Sequence, residues 1–250
     1  MKKNLEKVYQ KILLADRFIL DLLYPPHCPV CDKVALPKDG ICPQCRKKLN
    51  FISEPFCMKC GKPISDARKE FCSDCGKKTH NFTQGRALWV YGKEVKESLY
   101  RFKYQNKREY AGIYAREIAG RHGAWIQSKK IQVIVPVPLH KNRHRKRGFN
   151  QAAVLAEELG RILNLPVDKK ALVRIRDTKP QKTLSNAERK QNLKHAFCAK
   201  QNKVSGDIVL LVDDIYTTGS TLDAAAKALL ESGVSQVFTC CVGIGGDVVS

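Results

Sequence analysis

Two adjacent acidic residues, followed by a loop of small and hydroxylated residues, form the segment of this 250-residue chain best suited to chemistry. Asp213 and Asp214 follow the apolar run 208–212, which predicts a buried β-strand. Open α/β sheets bind their ligands at the carboxyl ends of such strands. The small and hydroxylated residues lead into the N-terminus of a predicted Ala-rich helix, and they are Thr217, Thr218, Gly219, Ser220 and Thr221. The N–H groups and hydroxyls of this loop could surround one phosphate, helped by the helix dipole.

The two carboxylates add a second kind of recognition, because they can accept hydrogen bonds from the vicinal hydroxyls of a ribose. The segment 208–221 resembles the signature of type I phosphoribosyltransferases, which bind 5-phosphoribosyl-1-diphosphate (PRPP), and this implies PRPP and Mg²⁺ as ligands. Purine-salvage members carry an acid at the place of Thr217, so hypoxanthine and guanine are disfavoured as substrates. A strand, turn and helix with an aspartate N-cap is the alternative, and it explains the adjacent acids and the loop less well.

A group of cations follows the apolar run 131–137, which predicts a second buried strand. The basic residues of this predicted loop are Lys141, Arg143, Arg145, Lys146 and Arg147. Arginine guanidinium groups suit phosphate oxygens, and the resemblance implies contact with pyrophosphate. A solvated charge run or a nucleic-acid patch is an equal alternative.

The polar range 178–189 occupies the position of the flexible hood that closes over substrate in the same family. The resemblance implies Gln181, Leu184 and Arg189 as its contacts. An ordinary exposed loop explains this range equally well.

Eight of the eleven cysteines form four Cys-x-x-Cys pairs: Cys28 and Cys31, Cys42 and Cys45, Cys57 and Cys60, and Cys72 and Cys75. Each pair directs two thiolates at one point, and two pairs complete a closed tetrahedral Zn²⁺ site with no open position for catalysis. A redox motif would not occur four times. We therefore expect two structural zinc ions. Short loops favour sequential pairing, and interleaved pairing stays open.

The net charge of +21 favours polyanionic ligands, and it is concentrated in residues 81–200, which carry 27 basic and 9 acidic side chains. The aromatic–basic run 100–104 could stack nucleic-acid bases while its cations contact phosphates. The helical spacing of Leu99 and Phe102 instead predicts that these two face the core. The sequence shows neither a secretion signal nor a membrane-spanning segment, so we expect the reducing cytoplasm, with thiols serving as metal ligands.

The elements that position these groups alternate between strands and helices after residue 80. The predicted strands are 87–91, 131–137, 208–212 and 234–243, and the predicted helices are 93–104, 108–125, 149–163 and 220–232. This alternation predicts an α/β fold with a parallel sheet flanked by helices. The predicted organisation is an amphipathic helix at 1–25, a double zinc ribbon at 26–80 and a phosphoribosyltransferase-like domain at 81–250.

Four motifs accompany the doubled cysteine cassette. They are Pro-Val-Pro-Leu-His at 136–140, Lys-Arg-Gly-Phe-Asn-Gln at 146–151, Gln-x-x-Leu-Ser-x-x-Glu-Arg at 181–189 and Val-Asp-Asp-Ile-Tyr-Thr-Thr-Gly-Ser-Thr at 212–221. This combination resembles the ComF family over about residues 22–243. The resemblance implies a type I phosphoribosyltransferase-like sheet preceded by a small N-terminal double zinc ribbon, and an association with DNA uptake in natural competence.

Three functions are consistent with these observations. The first is a competence protein that binds PRPP and handles incoming single-stranded DNA, with proteins of the DNA-uptake machinery as partners. The second is a metabolic enzyme that transfers phosphoribose to a nucleobase or another amine. The third is a regulator that senses PRPP without turnover. Proteins with this PRPP motif include all three kinds, so the motif alone leaves the acceptor and the reaction open.

Overall fold

The computed structural model describes residues 25–35, 40–176, 196–199 and 204–245. The chain separates into two compact units, Met1–Lys48 and Leu49–Ser250. This division falls inside the predicted double-ribbon range 26–80, so each unit contains one four-cysteine group. The predicted N-terminal helix lies, except for Pro25, outside the described residues.

The described part of the first unit is organised around its cysteines. The N–H of Cys28 donates to the carbonyl of Lys33 at 2.8 Å, which closes a tight turn around the first Cys-x-x-Cys pair. The second pair ends in the short helix α1 (Pro43–Arg46). The buried aliphatic side chains of this part include Val30 and Ile41. A core this small needs a ligand that holds the four sulfur atoms together.

The second unit contains a four-stranded sheet in the order β1–β6–β5–β2, in which all neighbouring strands are parallel. The strands of this unit are β1 (Gln84–Val90), β2 (Val133–Pro136), β3 (Leu172–Arg174), β4 (Phe197–Ala199), β5 (Ile208–Tyr216) and β6 (Gln236–Ile244). Every residue of β2 is buried, as is every residue of β6 after Gln236. Such continuous burial is typical of parallel strands covered on both faces. The predicted parallel α/β sheet is confirmed.

The second unit also contains six helices among its described residues. They are α2 (Ser73–Lys77), α3 (Lys93–Tyr104), α4 (Tyr110–Ser128), α5 (Lys141–Arg147), α6 (Gln151–Leu163) and α7 (Ser220–Glu231). Helices α4 and α6 pack on each other, and α6 also packs on β2 and β5. Helix α7 packs on β5, β6 and the antiparallel pair β3–β4. Among the described residues, no helix combines the length and apolar character needed to cross a membrane.

The strands and helices predicted after residue 80 overlap observed elements, although some of their bounds differ by a few residues. Helix α3 has the predicted bounds, and strand β5 continues four residues beyond the predicted 208–212 because its pairing with β6 extends to Tyr216 and Ile244. The prediction of a basic loop is wrong, since the cations form helix α5. The side chain of His140 caps its start, and Gly148, with φ 76°, ends it. Such caps define the two ends of a helix without apolar side chains at helical spacing. The sequence of α5 therefore shows no periodic apolar pattern.

The small strands β3 and β4 were not predicted. Each has three residues, and together they flank the range 177–195, which is outside the described residues. The predicted hood residues Gln181, Leu184 and Arg189 fall in that range.

Candidate functional site

The loop after β5 turns directly into α7 through Gly219. This N-cap residue has φ +74°, and a Cβ there would lie 2.4 Å from the hydroxyl oxygen of Tyr216, so backbone and space both require glycine. The N–H of Asp223 donates to the carbonyl of Gly219 at 2.8 Å and closes the first helical turn. The hydroxyl oxygens of Thr218 and Ser220 lie 2.9 Å apart. Hydroxyls therefore meet the N-terminus of a 12-residue helix, an arrangement suited to phosphate.

The two acidic residues lie within β5 rather than after it. Asp214 is buried, and its Oδ1 lies 2.8 Å from Nζ of Lys103 at the end of α3. The N–H of Asp214 donates to Oδ1 of Asp213 at 2.8 Å. Neither aspartate caps α7, because the N-cap is Gly219 and no side chain bonds there. The helix-cap alternative is therefore wrong.

The electrostatic environment of Asp213 differs from that of its neighbour. Burial, followed by the charge of Asp214, raises the pKa of Asp213 to about 7, while Lys103 and Arg174 act in the opposite direction. Arg174 belongs to β3 and is 7% exposed. A bound cation would favour the carboxylate form of Asp213.

The cations of α5 follow the carboxyl end of the strand next to β5. The N–H of Val137 donates to the carbonyl of Val212 at 2.9 Å, so the end of β2 lies beside the start of the acidic pair. Lys141, Arg145 and Lys146 are exposed, and Arg143 and Arg147 are partly buried. The guanidinium of Arg147 donates to Gln151 at 3.0 Å and to the hydroxyl of Tyr104 at 3.2 Å. The basic helix and the acidic pair thus share one edge of the sheet.

An exposed aromatic pair on α3 adjoins this basic helix. Tyr100 and Tyr104 are each 54% exposed, and their ring centroids lie 5.0 Å apart. The guanidinium of Arg147 lies 5.1 Å from the Tyr104 ring centroid. Leu99 and Phe102 are buried, which confirms that these two face the core. In the run 100–104, Phe102 is therefore buried, whereas Tyr100 and Tyr104 expose ring faces beside cations. Nucleic-acid bases could stack on such faces.

Each unit brings four cysteine sulfurs together. The groups are Cys28, Cys31, Cys42 and Cys45, and Cys57, Cys60, Cys72 and Cys75, with all ligand atoms of a group within 4.8 Å of one another. Sγ of Cys31 lies 3.8 Å from Sγ of Cys42, and Cys60 and Cys72 show the same distance. Tetrahedral zinc with Zn–S bonds of about 2.3 Å places its sulfurs about 3.8 Å apart. Both donor sets fit zinc, and the favoured sequential pairing is confirmed.

The second four-cysteine cluster (Cys57, Cys60, Cys72 and Cys75) is part of the core of the sheet unit. Cys57 and Cys60 are almost completely buried in a core that also contains Leu222 of α7. The N–H of Gly85 in β1 donates to the carbonyl of Lys59 at 2.7 Å. A Cβ on Gly85 would lie 3.3 Å from the carbonyl oxygen of Cys60, so the cluster packs directly on the first strand.

Sequence reasoning missed three residues of this site. Lys103 and Arg174 are far from the acidic pair in sequence, and only the fold brings their charges to it. Tyr216 lies inside the motif 212–221. Its position between the acidic pair and the hydroxylated loop 217–221 is the signal that the sequence offers.

Two family models match successive segments of the chain. Residues 19–76 match a double zinc ribbon domain, and residues 144–244 match a phosphoribosyl transferase domain. The DNA utilization protein YhgH of Escherichia coli O6:H1 is 31% identical over 218 residues, which cover 86% of this chain and 88% of that protein.

Two competence proteins match a smaller part. Competence protein ComFC of Bacillus subtilis is 37% identical over 150 residues, covering 60% of this chain and 59% of that protein. Competence protein F of Haemophilus influenzae is 38% identical over 142 residues, covering 55% of this chain and 62% of that protein. These two matches span less than two thirds of each relative. Because the match to YhgH extends along most of both proteins and the same two domains are present, the chain belongs to the ComF family.

Proposed function

We propose that this protein binds PRPP with Mg²⁺ at the carboxyl edge of its sheet and assists the uptake or processing of DNA in natural competence. One observation carries the first part: the acidic pair and the Gly219 loop form one continuous strand–loop–helix, and the cations of α5 follow the neighbouring strand. The names of the relatives, which refer to competence and DNA utilization, support the second part.

Each part of PRPP has a proposed set of partners in the domain 81–250. The loop 217–221 would hold the 5-phosphate, because its hydroxyls and helix N–H groups converge. Asp213 and Asp214 would accept hydrogen bonds from the ribose hydroxyls, and the cations of α5 would face the diphosphate. The carboxylate oxygens suit Mg²⁺, which would neutralise diphosphate charge.

Isothermal titration with PRPP and Mg²⁺ tests this assignment, using two glycine variants. Gly219→Ala introduces a Cβ against the Tyr216 hydroxyl at a positive φ, so we expect PRPP affinity to fall by more than about tenfold. Gly120→Ala in α4 is the matched control, because a Cβ there meets nothing within 4 Å. Equal affinity in the two variants, or no binding by the unchanged protein, would contradict the proposal.

The proposed DNA contact uses the surface around α5 and the two exposed tyrosines. Residues 81–200 carry a net charge of +18, which favours phosphate contacts with little sequence preference. Tyr100 and Tyr104 offer ring faces next to Arg147, so single-stranded DNA fits this surface better than duplex DNA. Retention on single-stranded DNA that weakens steeply with salt is the expected result. The DNA-uptake machinery would then supply the protein partners.

A second candidate is a metabolic phosphoribosyltransferase, which the match of residues 144–244 to a phosphoribosyl transferase domain favours. Pyrophosphate release from PRPP on addition of nucleobases or amines would identify this activity. PRPP binding without release would instead identify a non-catalytic regulator.

The proposal includes two structural zinc ions and a location in the cytoplasm. All eleven cysteines are free thiols, and eight of them form the two four-cysteine groups. Thiols of this kind persist in a reducing compartment. Metal analysis of protein purified without chelator tests the zinc assignment.

A further inference from the structure

Tyr216, the last residue of β5, lies between the second four-cysteine cluster and the phosphate loop (residues 217–221). It shares a buried core with Cys57, Cys60 and Cys72. The hydroxyl of Tyr216 leaves no room for a Cβ on Gly219. One side chain therefore belongs to the core that contains the cluster and also borders the turn of the loop.

A second connection runs from the end of the ribbon to α7. His80, whose side chain is 2% exposed, places Nδ1 3.1 Å from Oδ2 of Asp223. The N–H of Asn81 donates to Oδ1 of Asp223 at 2.7 Å, and the Asn81 amide donates to the Asp223 carbonyl at 3.3 Å. Asp223 also closes the turn at Gly219 through its own N–H. The first turn of α7 is thus anchored to the residues that follow the cluster.

Phe82 joins these two connections. Its ring stacks on His80 with centroids 4.9 Å apart and meets Tyr216 edge to face at 6.2 Å. Phe82 is completely buried in the same core as the cysteines. The ribbon, the three rings and the loop therefore form one packed group, and such packing transmits displacement because it has little free volume.

We propose that the second four-cysteine cluster, when it holds zinc, positions the phosphate loop, with Tyr216 and Asp223 as the positioning residues. Four thiols without a shared cation lose the bonds that hold their two turns together. Tyr216, Phe82 and His80 then lose the surface on which they pack, and the loop 217–221 opens more often. The identity of the ligand rests on the proposed PRPP function, whereas the coupling concerns the loop itself.

Hydrogen exchange of the segment 214–222 tests the coupling without any ligand. Asp223→Asn weakens the anchor to His80 and Asn81, so exchange in this segment should become about fivefold faster or more, with zinc content unchanged. Glu231→Gln, on the same helix, is the matched control, because its partner Lys227 lies in solvent. Equal exchange in the two variants would overturn the proposal.

The contribution of the metal is tested with a pair of cysteine variants. Cys72→Ser removes one ligand of the second cluster, and Cys198→Ser removes an exposed thiol outside it. We expect faster exchange at 214–222 in Cys72→Ser alone, while the strand 208–212 stays protected. Unchanged exchange in a Cys72→Ser protein that has lost one zinc ion would overturn the proposal. If Cys72→Ser unfolds the strand as well, the Asp223→Asn comparison decides.

Titration of the same variants with PRPP and Mg²⁺ connects the coupling to function. Asp223→Asn should bind about tenfold more weakly than Glu231→Gln. Failure of the unchanged protein to bind PRPP would contradict the proposed ligand, whereas the exchange difference would still support the coupling. Equal PRPP affinity in the two variants, with equal exchange, would overturn the coupling and leave the PRPP site standing.

Discussion

Lys103 and Asp214 form an ion pair that connects helix α3 to strand β5. Nζ lies 2.8 Å from Oδ1, and the two side chains are 17% and 11% exposed. One carboxylate oxygen of Asp214 is therefore already paired with the ammonium group of Lys103 when no ligand is bound. This pairing allows a carboxylate to be kept at the buried edge of the sheet, where an isolated charge would be costly.

Removal of the lysine should destabilise the protein through the charge that remains. We expect Lys103→Met to lower the free energy of unfolding by about 2–3 kcal/mol, less than for a fully buried pair because some solvent reaches both groups. The double variant Lys103→Met/Asp214→Asn should recover part of this loss. Urea denaturation measures both values.

Lys227→Met is the control for this experiment. Lys227 pairs with Glu231 at 3.6 Å, but both side chains are more than half exposed. Such a surface pair contributes about 0–1 kcal/mol. Equal losses for Lys103→Met and Lys227→Met would show that the pair with Asp214 is not a buried interaction.

The sequence predicts the elements of this fold where apolar spacing is strong. Leu99 and Phe102 mark the inner face of α3, and the apolar run before Asp213 marks β5. Helix α5 has no buried residue, so only its caps at His140 and Gly148 define it, and the pattern misses it. Apolar periodicity detects elements that bury one face, and it misses helices that are defined only by their caps.

The sequence does not predict contacts between segments that are far apart along the chain. The Cys-x-x-Cys spacing predicts the zinc ligands, because ligand geometry is local. It does not predict that Cys57 and Cys60 pack in the core of the sheet unit, or that Lys103 pairs with Asp214. The compact unit Leu49–Ser250 therefore contains the second half of the predicted double-ribbon range, because these cysteines pack with the sheet.

Metal analysis should return two zinc ions per chain. Cys28→Ser and Cys72→Ser should each lose one of them, because the two residues belong to separate ligand groups. Cys72→Ser should also lower the melting temperature of the sheet unit by about 6–12 °C, since its cluster belongs to that core. Cys198→Ser should change neither quantity. One zinc ion or none in the unchanged protein would contradict the assignment.

His122 should make the protein sensitive to acid. Its Nε2 lies 3.0 Å from the carbonyl oxygen of Ala87, and burial lowers its pKa from 6.5 to about 4. The unfolded chain binds the proton first as the pH falls, so the stability contribution is complete above pH 6.5 and is lost toward pH 4. Between about pH 7 and pH 4.5 we expect a loss of about 2.5 kcal/mol.

His122→Gln should remove this component of the pH dependence, measured by urea denaturation at both pH values. The matched control is His144→Gln, because His144 is exposed on α5. A variant at His122 that keeps the full pH dependence would assign the acid sensitivity to other groups.

The cations and tyrosines near α5 should affect DNA binding in different ways. Replacement of Arg143, Arg145 and Arg147 by glutamine should reduce the slope of log K against log salt by about 2–3 units, because fewer counterions are released. Replacement of Tyr100 and Tyr104 by alanine should weaken binding by about 1–3 kcal/mol per stacked base with little change in slope. An unchanged slope in the arginine variant would assign these cations to PRPP alone.

The acidic pair provides the most direct test of the PRPP site. Asp213→Asn and Asp214→Asn keep the side-chain shape but remove a charged acceptor, and such hydrogen bonds contribute about 1.5–3 kcal/mol. PRPP affinity should therefore fall by about 10- to 150-fold in either variant. Its dependence on Mg²⁺ should weaken as well, because a carboxylate ligand is lost. Zinc content should stay the same, since the zinc ligands are the cysteines.

The pH dependence of binding separates the role of Asp213 from a general loss of charge. Because the pKa of Asp213 is raised to about 7, its carboxylate fraction grows as the pH rises through that value, and PRPP affinity should rise with it. Asp213→Asn should flatten this rise and leave only the titration of the PRPP phosphates. Asp207→Asn, at the exposed amino end of β5, is the matched control and should bind as the unchanged protein does. Normal PRPP affinity in both single variants and in the double variant would end the phosphoribosyl assignment of this site, because no other acidic pair stands at the carboxyl end of β5.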